Sequence, residues 1–252
     1  MATYSRATLQ AARVCRIPGN LARPNPSLFH FPGLNSRPWH SVDSSPAFAW
    51  VRQLEAATAD IAAEYVALRD APGGLPVSDY EASDSDHGSG LHQGQKPWHW
   101  ASFIDRGVRR REMALRCPVT AAVIDATPRL CVDSMPFAFA FFSTLRGGSR
   151  IAPHCSPCNL RVRLHLPLLV PEPAKCGITV AGETRQWEVG KALIFDDAYE
   201  HEVWNDGEED RVVLLLDTWH PDLSDEEVCT MQETTISLPA PSFRSVGFPF
   251  SS

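Results

Sequence analysis

The chain has 252 residues, enough for one sizeable core or at most two small domains, and its 44% hydrophobic and 21% charged content is that of a globular protein. Its 30 acidic side chains outnumber 23 Lys plus Arg, a formal charge of −7 that argues against a nucleic-acid partner. No apolar run reaches the roughly 18 residues of a membrane-spanning helix, so no transmembrane segment is expected.

Residues 1–25 carry Arg6, Arg13, Arg16 and Arg23, and the first acid is Asp43. An acid-free, Arg-bearing start predicts a flexible leader or an organelle transit segment. The seven cysteines are odd in number and show no disulfide framework, which predicts free thiols in a reducing compartment. A cytoplasmic location follows, with organelle import through the N-terminus as the alternative.

Residues 23–42, RPNPSLFHFPGLNSRPWHSV, are dense in Pro and turn formers and read as an extended lead-in. A helix then opens at Ser45-Pro46, with Ser as N-cap and Pro in the first turn. Val51, Leu54, Ile61, Tyr65 and Leu68 give it one apolar face, and Ala71-Pro72-Gly73-Gly74 ends it. Residues 73–96, with His87 and His92, read as an exposed loop, and CPVTAAVIDATP at 117–128 as a second, shorter helix.

From residue 137 the texture changes to short apolar or alternating runs: FAFAFFSTL, NLRVRLHLPLLV, CGITVAG, ETRQWEVG, KALIFD, EHEVWN and RVVLLLDTWH. Gly, Pro, Asn and Asp separate them, the pattern of an antiparallel barrel or sandwich. The expected fold is mainly β with supporting helices, a jelly-roll or cupin-like barrel.

Strand alternation puts Leu160, Val162, Leu164 and Leu166 on one face of the 160–166 run and Arg161, Arg163 and His165 on the other. Pointing inward, the polar set would need an acidic partner; pointing outward, it would be a solvated face. Pattern alone leaves both open. Arg211 opens another apolar strand, and Ser143 interrupts FAFAFFSTL. His154 and His201 each stand at an expected strand start, and distant histidines on neighbouring strands are a common way for a barrel to bind a redox metal.

PHCSPCNLRVRLHLPL, GETRQWEVGKALIFDDAYEHEVWND and RVVLLLDTWHPDL, in that order, resemble the aspartyl/asparaginyl β-hydroxylase family over roughly residues 98–223. That resemblance implies an Fe(II)- and 2-oxoglutarate-dependent dioxygenase on a double-stranded β-helix. It would use O2 to hydroxylate an aspartyl or asparaginyl side chain, or a related small molecule, with succinate and CO2 as co-products. By position, His154 and His201 match the iron ligands, and Arg211 matches the Arg that grips the far carboxylate of 2-oxoglutarate. Ser143 matches a Ser that assists it, and Arg163 and His165 match residues near the other carboxylate and the substrate. The acid found two residues after the first His in most such oxygenases is here Ser156, and the resemblance implies water in that place. Asp196 and Asp197 read as turn acids or as acids that orient His201.

The implied division is a leader at 1–25, a dioxygenase domain at 26–225 with its β-helix core at about 136–220, and a tail at 226–252. No helical-repeat extension or membrane anchor of the kind larger family members carry is visible, which leaves the substrate open. A non-catalytic metal- or carboxylate-binding module on the same barrel is the alternative. Cys155 and Cys158 lack a second C-x-x-C pair, so they read as loop thiols rather than a zinc or redox site. Trp187, Trp204 and Trp219 read as core or rim packing.

Overall fold

The computed structural model describes residues 21–27, 30–43, 45–80, 92–93, 98–132 and 135–237. Most of the leader, His87 and residues 238–252 of the expected tail lie outside the described residues.

Two antiparallel sheets carry the fold. The larger has seven strands in the order β1-β10-β7-β12-β5-β3-β4. These are β1 (Trp39–His40), β10 (Leu193–Phe195), β7 (Arg161–Leu169), β12 (Arg211–Trp219), β5 (Ala140–Leu145), β3 (Trp98–Asp105) and β4 (Val108–Arg109). The smaller has five, in the order β2-β6-β11-β8-β9: β2 (His92–Gln93), β6 (Ser149–His154), β11 (His201–Asn205), β8 (Cys176–Val180) and β9 (Glu183–Arg185). The chain crosses between the sheets repeatedly, so neighbours in sequence face each other across the interior, as in a cupin-like barrel.

Alternation along the central strands sorts their side chains into two cores. Val162, Leu164, Leu166 and Leu168 of β7, with Val212, Leu214 and Leu216 of β12, pack outward against Val51, Leu54, Ile61, Tyr65 and Leu68. The opposite faces contribute Leu145, Val213 and Phe195 to a second cluster, which Ile151, Ile178, Val180 and Val203 of the smaller sheet complete. A third cluster, including Phe31, Cys158, Leu160, Trp219 and Met231, closes one end. β7 and β12 are therefore covered on both sides, and their inner face is free to carry polar groups only if those groups find partners.

The helical support departs from expectation in two respects. A 3-10 turn (Pro46–Phe48) is capped by Ser45 as predicted, its Oγ accepting from Ala47 N at 3.3 Å. The helix that follows is broken into α1 (Val51–Ala56) and α2 (Thr58–Asp70). At the break the Thr58 hydroxyl donates to the Glu55 carbonyl at 2.6 Å, a local side-chain bond that competes with the helical ladder. The second predicted helix is α4 (Pro118–Asp125), preceded by an unpredicted α3 (Arg111–Arg116).

Other departures bear on the site. The β core begins at β3, well before residue 136. The 73–96 segment is not wholly exposed, since Tyr80 is buried and His92 pairs with Ile151 of β6. His154 ends β6 rather than starting a strand. The expected tail begins as a helix, α5 (Asp225–Ser237), with Met231 buried beside Phe31 and Leu223.

Candidate active site

The inward-facing reading of the polar set on β7 is the observed one. Arg161 and His165 are buried, and Arg163 keeps only 14% of its side chain exposed. They face the cleft between the sheets because their even-numbered neighbours are claimed by the helices.

His154 and His201 meet across the small sheet. They are directly facing residues in the β6–β11 pair, and their ring centroids lie 4.1 Å apart. The ladder slips between His201 and Val203, one of the irregularities by which sheets re-aim side chains near sites. Each ring is held by its own strand: His154 Nδ1 lies 2.8 Å from the Ala152 carbonyl and His201 Nδ1 2.9 Å from the Tyr199 carbonyl. A carbonyl can only accept, so Nδ1 carries the proton and Nε2 keeps its lone pair, the tautomer a metal ligand needs. Burial lowers both imidazole pKa values, that of His154 well below its ordinary value and that of His201 to about 4, so both rings are neutral at pH 7.

Arg211 is the other pole of the cleft. It is 1% exposed, and no acid pairs with it among the described residues. Its Nη1 reaches the Ser143 carbonyl and Oγ only at 3.4 Å, its Nε has no hydrogen-bond partner, and its guanidinium lies 4.6 Å over the Trp187 ring. Burial lowers its pKa to about 10, which still leaves it charged at neutral pH. Ser143 is itself fixed by Trp98, whose Nε1 donates to its Oγ at 3.0 Å. His165 sits between the poles, its ring 5.0 Å from Phe195 and 6.2 Å from Trp187, with Nδ1 buried and unpartnered. Phe195 in turn touches His201 at 5.8 Å.

Arg161 and Arg163 are not spare cations. Arg163 Nε and Nη2 donate to the two carboxylate oxygens of Asp217 at 2.8 and 2.9 Å, and its Nη1 lies 3.3 Å from Asp197. Arg161 donates to Asp197 at 2.7 Å and approaches Asp217 at 3.0 Å. Two guanidiniums and two carboxylates thus form a closed, neutral quartet, which is how buried charge is tolerated. Burial opposes ionisation of Asp197, but the two arginines outweigh it and hold its carboxyl far below the usual range. Arg163, expected near the other carboxylate and the substrate, has its guanidinium fork engaged by Asp217. Asp196 takes the expected turn role, accepting from Ala198 N at 2.9 Å, and the group that His201 Nδ1 meets is the Tyr199 carbonyl rather than a carboxylate.

A model of the aspartyl/asparaginyl beta-hydroxylase family matches residues 55–221, about two thirds of the chain. The chain belongs to this family. The human aspartyl/asparaginyl beta-hydroxylase is 30% identical over 201 residues, which is 80% of this chain and 25% of that protein. The ornithine lipid ester-linked acyl 2-hydroxylase of Rhizobium tropici is 41% identical over 125 residues, 48% of this chain and 42% of that one. The mouse aspartate beta-hydroxylase domain-containing protein 2 is 33% identical over 133 residues, 52% of this chain and 38% of its own length. This chain therefore spans a quarter to less than half of these relatives. Among solved structures, a cupin domain of Schizosaccharomyces pombe Cnp3 gives a TM-score of 0.32 at 14% identity, covering 50% of this chain and 66% of that one.

Within this family member the position two residues after the first histidine offers no carboxylate. Ser156 turns its hydroxyl into its own loop, donating to the Cys158 carbonyl at 2.5 Å. Among the described residues no group of three or more His, Cys, Asp or Glu side chains is arranged to hold a metal, so neither a carboxylate-completed triad nor a multi-thiol site is present there. Cys155 and Cys158 are buried, and burial pushes the Cys158 thiol up to about 12, which makes it unreactive. Sequence reasoning missed Trp98, whose indole fixes Ser143; Trp187 packs in the core as expected and in addition lies under Arg211. Nothing local distinguishes such a Trp from a core Trp. The acid inside VVLLLDTW was a visible signal, since a carboxylate in an apolar strand has to be paired.

Proposed function

We propose that this protein is a hydroxylase dependent on Fe(II) and 2-oxoglutarate, with the metal at His154 and His201 and the far carboxylate of the keto acid at Arg211. The carrying observation is the buried, unpaired Arg211 on the same interior as two imidazoles whose Nε2 lone pairs are free. A solitary interior guanidinium costs several kcal/mol unless an anion meets it, and a planar fork suits a carboxylate. The unpartnered Arg211 Nε and His165 Nδ1 are the donors and acceptors a polar occupant of the cleft would engage. The residues present thus fit both groups.

When bound there, iron and the keto acid supply the oxidising power: substrate C–H, O2 and 2-oxoglutarate become substrate C–OH, succinate and CO2. The chain supplies placement. Ala152 and Tyr199 carbonyls fix the two imidazoles, and Ser143, held by Trp98, positions Arg211. Trp187 screens the guanidinium from water, while Ser156, engaged in its own loop, leaves the third protein position to solvent. The substrates named for the relatives differ, an aspartyl or asparaginyl side chain in one and an ester-linked acyl group in another, and both fall within this reading.

Anaerobic titration of the full chain with Fe(II) and 2-oxoglutarate is the test. A weak visible charge-transfer band is expected, absent from His154→Ala and His201→Ala. No band in the wild type, or one that survives both substitutions, would overturn the assignment.

A further inference from the structure

The lead-in ahead of the first helix lies across the two loops that bear the metal-facing histidines, and the chemistry above gives it no part. One loop, residues 155–159, leaves His154; the other, residues 196–200, enters His201. Ser156 N donates to the Asp197 carbonyl at 2.7 Å, so the loops are joined by backbone. The lead-in grips both. Asn25 N donates to the Ala198 carbonyl at 2.7 Å, and Ser27 N to the Ser156 carbonyl at 2.9 Å. Further along, the Pro38 carbonyl accepts from Asp196 N at 3.2 Å, and the Ser36 carbonyl from the Tyr199 hydroxyl at 3.3 Å. Tyr199 is the residue whose own carbonyl fixes the His201 ring.

A side chain locks this arrangement. Asn159 Oδ1 accepts from Phe31 N at 2.7 Å, and Asn159 Nδ2 donates to the Phe31 carbonyl at 3.0 Å. A carboxamide offers an acceptor and a donor side by side, so it can pair with both polar groups of one backbone residue. Loop asparagines ordinarily bond to backbone in their own turn; this one reaches 128 residues back along the chain. Asn159 is 0% and Phe31 1% exposed, so solvent is not at hand to replace either bond. The Phe31 ring packs in one cluster with Cys158 and Leu160, the neighbours of Asn159.

From this we infer that Asn159 is a positioning residue for the metal site: by locking Phe31 it keeps the lead-in seated on both loops, and the seated lead-in sets the spacing of His154 and His201. The inference rests on the metal assignment proposed above. Two ligands from distant strands bind tightly only when their spacing is set before the metal arrives, because ordering them afterwards opposes binding. The β6–β11 ladder slips beside His201, so the sheet alone holds that end less firmly and the lead-in supplies the missing restraint. Linkage makes the effect reciprocal: a lead-in that favours metal binding is itself held down by bound metal.

Two measurements on the full chain test this. Mn(II) affinity, read by electron paramagnetic resonance, should weaken about tenfold in Asn159→Ala. Glu64→Ala serves as the control for lost stability, since it strips the carboxylate that accepts from Val119 N and Thr120 N on the helical face; it should lower the melting temperature and leave the affinity unchanged. In the wild type, Mn(II) should slow amide hydrogen exchange in the peptide spanning Asn25 and Phe31 and leave that of α4 unchanged. Wild-type affinity in Asn159→Ala, an equal loss in Glu64→Ala, or lead-in exchange unmoved by metal would each overturn the inference. Should Asn159→Ala not fold, the exchange measurement on the wild type decides alone. A wild type that binds no Mn(II) sinks the metal assignment and this inference with it, whereas binding indifferent to Asn159 sinks the inference alone.

Discussion

Replacing Arg211 with Met separates binding from folding. Burial lowers the Arg211 pKa from its ordinary value to about 10, and at about 1.36 kcal/mol per pH unit this is a burial penalty on the order of 3 kcal/mol at neutral pH. The sign follows from linkage: the folded state releases this proton more readily than the unfolded chain, so the charged form disfavours folding until the pH exceeds both values. Against it stand the stack on Trp187, worth about 1–2 kcal/mol, and two long hydrogen bonds to Ser143. Met keeps the length and apolar stem, so the ligand-free variant should be more stable than the wild type by about 1–2 kcal/mol, or roughly 2–8 °C in melting temperature. Adding 2-oxoglutarate with Mn(II) at about 100 times its Kd should stabilise the wild type by about 2.7 kcal/mol and the variant hardly at all. Thermal denaturation of both proteins with and without ligand measures all four numbers. A variant that melts lower than the wild type without ligand, or that keeps the ligand-induced shift, would refute the view of Arg211 as an uncompensated charge kept for an anion.

Three further outcomes are expected. Asp217→Asn leaves two buried guanidiniums facing one carboxylate and should cost about 3–5 kcal/mol in urea unfolding, with much of it recovered in Arg163→Leu/Asp217→Leu. Asp196, pushed up to about 8 by burial, holds its proton in the fold at pH values where the unfolded chain has lost it. Its contribution is complete below about pH 4 and should fade as pH rises through about 8, so Asp196→Asn should flatten the fall in stability between pH 5 and 9. Gly147→Ala would drive a methyl to 2.3 Å from the Glu208 carbonyl oxygen, and its melting temperature should drop in step with a cost of about 1–3 kcal/mol.

The strands after residue 137 were legible because alternation survives wherever one face packs on helices and the other on a second sheet, as in β7 and β12. β3 escaped notice because WHWASFID puts His99 on the helix-facing side and Ser102 on the inner one, and β6 because Pro153 and the preceding glycines look like a turn. The break at Ala57 depends on one hydroxyl finding the carbonyl three residues back, which helical spacing does not register. At the site, the order of His154, His165, His201 and Arg211 in the chain was enough to suggest the constellation. The fate of Arg163 was not legible, since its partner Asp217 lies 54 residues away and only register brings the two together.

The two poles of the cleft belong to different sheets, His154 and His201 to the five-stranded one and Arg211 to the seven-stranded one. Residues 206–210 and the Asn205 side-chain bond to the Leu145 carbonyl tie the two sheets at one end, and side chains wedged between the layers, Phe195 and Val203 among them, set the gap beyond it. The barrel therefore acts as a caliper whose jaws are shimmed by core residues. Trimming a shim that touches no ligand should change which chain length of dicarboxylate fits between the jaws.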